Sequence, residues 1–153
     1  MNYSQRECSM VLRHDLTAFT ERCFYELNPG TTYLPNWHIE VMAAYLTACM
    51  QGKIKRLIVN MPPRYLKSIC TSVALPAFWL GHVPSAQIIN ICYGMDLAEK
   101  FSRETREIML NLWYRRAFAT RLSPTRQTVT EFETTKHGFR KATSVGGVLT
   151  GRG

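Results

Sequence analysis

"RLIVNMPPRYLKS", Arg56 to Ser68, is the stretch on which the reading of the whole chain turns. Leu57, Ile58 and Val59 make a short apolar run between basic residues and Asn60, which predicts a strand buried on both faces. The loop Met61 to Lys67 follows, and a helix is expected to begin at Ser68. Strand, loop and helix N-terminus form a setting in which free backbone N–H groups and the helix dipole favour an anion. A phosphate loop of the pattern G-x-x-x-x-G-K-[ST], laid over Met61 to Ser68, matches at Lys67 and Ser68, while Met61 and Leu66 stand where the glycines would. A β-carbon at Leu66 crowds the loop or the phosphate. The residues by themselves leave two readings open: a nucleotide site, or a solvent-facing lysine at an ordinary strand-to-helix turn.

Upstream of this stretch, Leu12, Leu16, Phe19, Cys23 and Leu27 recur at helical spacing and predict one helix to about Leu27. "NPGTTYLPN", residues 28–36, is a loop by composition, and Trp37 opens a second helix through Ile39, Met42, Ala43 and Leu46 that Gly52 stops. Downstream, a helix from Ser68 toward Leu80 is expected to bend or shorten at Pro76 and to end at Gly81 and Pro84. "QIINICY", residues 87–93, predicts a second buried strand. Asp96 is placed to cap a long helix over 96–116 with Leu97, Phe101, Ile108 and Leu112 on one face. The segment 128–145 alternates, with Val129, Phe132 and Phe139 inward, and reads as two strands around "KHG". This order of helices and strands predicts an α/β fold, a parallel sheet covered by helices.

The chain has 153 residues, enough for one domain with its own core, and 19 Lys and Arg against 11 acidic residues. The excess is uneven: residues 1–52 carry −2 and residues 53–153 carry +10, a balance that attracts polyanions such as nucleotides or nucleic acid. Five cysteines without a C-x-x-C pair read as reduced core thiols, and four scattered histidines give no metal-site spacing, so no structural metal is expected. Between Ser68 and Met95 there is no charged residue, but Pro76, Gly81 and Pro84 interrupt the run, which argues against a membrane helix. With no secretory pattern at the N-terminus either, the expected location is cytoplasmic.

"RLIVNMPPRYLKS" followed by "ALPAFWLGHVPSAQIINICYGMDLAEKFSRE" resembles the N-terminal ATPase region of phage terminase large subunits, the motors that package viral DNA. The likeness takes in "NPGTTYLPNWHIEVMAAYL" upstream and "TSVGGVLTGRG" downstream, from about Phe19 to Gly153. In that family a Pro-Pro-Arg-x-x-Lys-Ser loop is a recurrent deviant Walker A. The resemblance implies a partial P-loop NTPase sheet of the ASCE type, ATP and Mg2+ as ligands, and a phosphate loop of Pro63, Arg64, Tyr65, Leu66, Lys67 and Ser68. Lys67 would hold the β and γ phosphates, Ser68 would ligate Mg2+, and Arg64 would stabilise charge on the transferring phosphate. Trp37 and His38 would contact the adenine.

The implied partners are double-stranded phage DNA, the portal protein and the small terminase subunit, in the cytoplasm of a bacterial host, with the chain encoded by a phage or prophage. Residues 1–52 then form a helical segment with the adenine-contacting loop, and residues 53–153 an incomplete ATPase core. In the family a Walker B strand comes shortly after "LTGRG", where this sequence stops, so the resemblance implies an N-terminal fragment that binds nucleotide without hydrolysing it and self-associates. The alternatives are a basic nucleic-acid-binding module using Tyr93, Trp113, Tyr114 and Phe118 for stacking, or a degenerate fragment that binds neither ligand.

Overall fold

The computed structural model describes residues 4–147, and the chain divides into two compact units, Met1–Phe78 and Trp79–Gly153. The first unit is helical. Helix α1 (Gln5–His14) begins at a capping box in which Ser4 and Glu7 satisfy each other's backbone N–H groups, and α2 (Leu16–Leu27) begins at Asp15. The single helix expected over this stretch is therefore two. Asp15 takes an extended backbone and its Oδ1 accepts from the N–H groups of Thr17 and Ala18, which starts α2 afresh while the apolar spacing carries on across the break. Helix α3 (Trp37–Met50) buries Ile39, Met42, Ala43 and Leu46 as expected and is followed by Gly52 at φ +75°.

Beyond α3 the structure departs from expectation. Leu57–Val59 is not a strand: no described residue pairs with it, and Ile58 is 84% exposed. An apolar triplet records a preference for burial, but a strand exists only where another strand accepts its hydrogen bonds. The chain next enters the loop and then a π-helical segment, Ile69–Ala74, that leads directly into α4 (Leu75–His82). The Leu75 N–H reaches back to the Cys70 carbonyl, one residue further than in an α-helix. This wider turn precedes Pro76, which has no N–H to give and whose ring would crowd an α-helical carbonyl. The helix is not stopped at Pro76, and it ends at His82, between Gly81 and Pro84 as expected. The π segment packs on both α2 and α3, Phe78 meets Phe19 edge to face at 5.3 Å, and Val73, Ala74 and Ala77 have no exposed surface.

The second unit is α/β. Strands β1 (Gln87–Cys92), β2 (Leu122–Gln127), β3 (Glu131–Thr134) and β4 (Phe139–Ser144) form one sheet in the order β1-β4-β3-β2. Only β1 and β4 run parallel, and the other two pairs are antiparallel, so the sheet is mixed rather than the parallel one expected. The hairpin around "KHG" is as read: His137 takes φ +64°, and Gly138 lies so close to Pro84 that an added β-carbon would sit 2.2 Å from its carbonyl oxygen. Phe132 and Phe139 point inward, whereas Val129 is 39% exposed, because it precedes β3 and has no partner on a buried face.

The long helix expected over 96–116 is α5 (Met95–Leu110) and α6 (Leu112–Ala117), divided at Asn111, whose side chain accepts from the Trp113 N–H. Gly94, not Asp96, is the cap of α5. Its buried face runs through Ala98, Phe101, Thr105 and Ile108 against β1 and β4, while Leu97 and Leu112 lie outside. Strand β1 is half-exposed rather than buried, since Ile89 and Ile91 face solvent. Arg140 in β4 is wholly buried, and burial draws its guanidinium down to about 10.

Candidate functional site

The loop Met61–Ser68 lies wholly within the first unit, held at its helical end by the π segment packed between α2 and α3. Its backbone is unusual. Arg64 has φ +70° and Leu66 φ +57°, while Tyr65 between them stays out of that region. Left-handed backbone at two non-glycine residues, one being leucine, costs roughly 1–2 kcal/mol each. Left-handed residues alternating with right-handed ones are one way in which a loop turns its N–H groups toward an anion. The crowding expected at Leu66 thus takes the form of a strained backbone angle. Helical bonding starts immediately afterwards: the Cys70 N–H donates to the Leu66 carbonyl at 3.0 Å and the Thr71 hydroxyl to the Lys67 carbonyl at 2.8 Å.

Lys67 folds across the loop, its Nζ donating to the Met61 carbonyl oxygen at 2.8 Å. The ammonium is thereby tied back to the start of the loop and is half-buried. Ser68 is exposed and makes no capping bond with its hydroxyl, and Arg64 and Pro63 are exposed too. Between Glu40 and Asp96 the chain has no acidic residue, while Lys53, Lys55, Arg56, Arg64 and Lys67 all fall in this interval. Cys70 stands at the start of the same helix. A helix N-terminus lowers a thiol's pKa, but here burial dominates and pushes it up to about 12, so Cys70 is a protonated core residue and not a nucleophile.

Beside the loop lies an open groove of about 750 Å³. Its walls come from the start of α3, the extended segment Leu57–Asn60, and Met61, Pro62 and Tyr65 of the loop itself. Trp37, the first residue of α3, is 72% exposed and lines this groove, so it is not the core residue that a tryptophan at a helix start usually is. The His38 ring sits edge-on to Trp37 at 6.3 Å and to Tyr65 at 5.3 Å. Its Nε2 is buried with no hydrogen-bond partner among the described residues.

Of the residues singled out in the sequence, Trp37, His38 and Tyr65 line this groove, whereas Pro63, Arg64, Leu66, Lys67 and Ser68 do not. Val41, Tyr45 and Ile58 belong to the same groove and were not singled out in the sequence. Trp37, Val41 and Tyr45 recur every four residues, a second apolar stripe on α3 beside the buried one, and that spacing is the signal that would have found them.

No carboxylate lines the groove, and the described residues contain no group of three or more His, Cys, Asp or Glu placed to hold a metal ion. For the stacking role considered in the second unit, Tyr93 is open at 93% exposure, but Tyr114 and Phe118 are buried against each other and present no face to a base. The sequence from Val148 onward, which includes most of the glycine-rich tail, lies outside the described residues. No described helix is long and apolar enough to cross a membrane. No protein-family model, curated protein or solved structure matches the chain.

Proposed function

We propose that the first unit binds a nucleoside triphosphate, with the phosphates in the loop Pro63–Ser68 and the base in the groove lined by Trp37 and His38. One observation carries this reading: Met61, Pro62 and Tyr65 of the loop line a single groove with the exposed Trp37, and the Lys67 ammonium is tied back to Met61 at the edge of that groove. A flat aromatic wall beside a cationic loop suits a ligand that is aromatic at one end and polyanionic at the other. Lys67 supplies a compact charge to the phosphates, and Arg64, exposed at the loop tip, supplies a second. Mg2+ would be held by Ser68 together with phosphate oxygens, since the groove offers it no carboxylate.

In the wider reading, the chain is the N-terminal ATPase region of a phage terminase large subunit, taking ATP and acting on double-stranded DNA with the portal and small subunit as partners. The sequence motifs support that step, through the Pro-Pro-Arg-x-x-Lys-Ser loop and the residues around it. The activity assigned to these residues is binding and not turnover, because no acidic side chain of the groove is available to orient an attacking water.

Titration of Mg-ATP against the fluorescence of Trp37 tests the proposal. Losing one charge-assisted contact costs roughly 1.5–3 kcal/mol, so Lys67→Ala is expected to bind at least about tenfold more weakly. Equal affinity of the parent and Lys67→Ala would remove the phosphate-loop assignment.

A further inference from the structure

A pair of rings joins the loop to the start of α3. Tyr65 lies between the two left-handed residues of the loop, and its side chain meets the His38 imidazole edge to face at 5.3 Å. His38 in turn stands against Trp37, so three rings run from the phosphate loop to the exposed end of the groove. The His38 Nε2 is already out of water and makes no hydrogen bond among the described residues. A polar atom in that state has no hydration left to lose, so a bond to an incoming base is gained at nearly its full value. Small side-chain shifts of the kind that accompany binding bring a base edge within its reach.

From this geometry we infer that Tyr65 is a positioning residue that couples the two halves of the site. Phosphates that draw in the N–H groups of Arg64 to Lys67 fix the Tyr65 ring, the ring fixes His38, and His38 is then set for the base. The preferred ligand is on this account a nucleoside triphosphate and not a bare polyphosphate. The inference rests on the reading of the loop given above and goes beyond it by naming how one half senses the other.

The test compares Mg-ATP with magnesium tripolyphosphate by calorimetry on the parent, Tyr65→Ala, Tyr65→Phe and His38→Asn. ATP is expected to bind the parent about tenfold more tightly than tripolyphosphate, the scale of one aromatic stacking contact. In Tyr65→Ala that advantage falls below about threefold while tripolyphosphate affinity stays within about twofold, and Tyr65→Phe retains it because the ring edge, not the hydroxyl, makes the contact. His38→Asn loses the same advantage from the other side of the contact, which keeps the test open should Tyr65→Ala fail to fold. The inference is overturned if Tyr65→Ala weakens both ligands in equal proportion, if it leaves the advantage intact, or if Tyr65→Phe loses as much as Tyr65→Ala. A parent that binds both ligands equally also overturns it, yet leaves the phosphate loop standing. A parent that binds neither removes the loop assignment as well.

Discussion

Leu66 shows how a single backbone angle can invert an ordinary substitution. At φ +57° a β-carbon is strained by roughly 1–2 kcal/mol, whereas glycine adopts that angle freely at an entropic cost of about 0.5–1 kcal/mol. Leu66→Gly also gives up the packing of a half-buried side chain, so the terms nearly cancel and the variant is expected to keep the parent's nucleotide affinity or improve on it. Leu66→Ala loses the same packing and keeps the strain. Glycine should therefore be the more stable of the two by about 1 kcal/mol in urea unfolding, the reverse of the usual order. Alanine more stable than glycine would mean that the left-handed angle is not retained in solution. This angle was not legible in the sequence, because leucine carries no signal for positive φ. The pair Lys67 and Ser68 was legible as a candidate motif, since a motif of this kind is read from local order. The contact of Tyr65 with His38 was not, because it depends on how the chain returns from α3 to the loop.

Asp15 does for a whole element what Leu66 does for a loop. It closes α1 by donating its N–H to the Val11 carbonyl and opens α2 through its carboxylate. Loss of such a cap costs about 1 kcal/mol, so Asp15→Ala is expected to lower stability by that amount and Asp15→Ser by much less, read from denaturant midpoints. If alanine and serine were equivalent at this position, the capping role would fall. The same residue explains why helix boundaries were misjudged. Apolar spacing tells which face is buried, and it runs on through a one-residue break at Asp15 or Asn111 without change. The breaks are written in capping chemistry instead. Strands divide in the same way between local and distant information. The β3–β4 hairpin was legible because its turn is specified by neighbouring residues. Strand β2, polar and containing Pro124, has no buried face to announce it, and Leu57–Val59 had the composition of a strand but among the described residues has no partner.

At the scale of the molecule, net charge and an open sheet edge act in opposite directions. The chain carries +8, which keeps copies apart in dilute salt. Strand β1 has a neighbour on one side only among the described strands, and Ile89 and Ile91 within it and Tyr93 just after it are more than half exposed. An apolar edge with unpaired N–H and C=O groups favours pairing with a second copy. The two effects differ in range. Repulsion between like-charged molecules is screened over about 10 Å at 0.1 M salt and about 3 Å at 1 M, while strand pairing acts only at contact and is little affected. Association is therefore expected to rise with ionic strength, measured by sedimentation of the purified chain at two salt concentrations. Ile91→Lys should suppress it, since a lysine on an edge strand blocks pairing and costs at most about 1 kcal/mol in strand preference at a side chain already 55% exposed. If association instead fell as salt was added, contacts between charged groups would be its cause. If Ile91→Lys associated as strongly as the parent, the β1 edge would not be the surface that joins the copies.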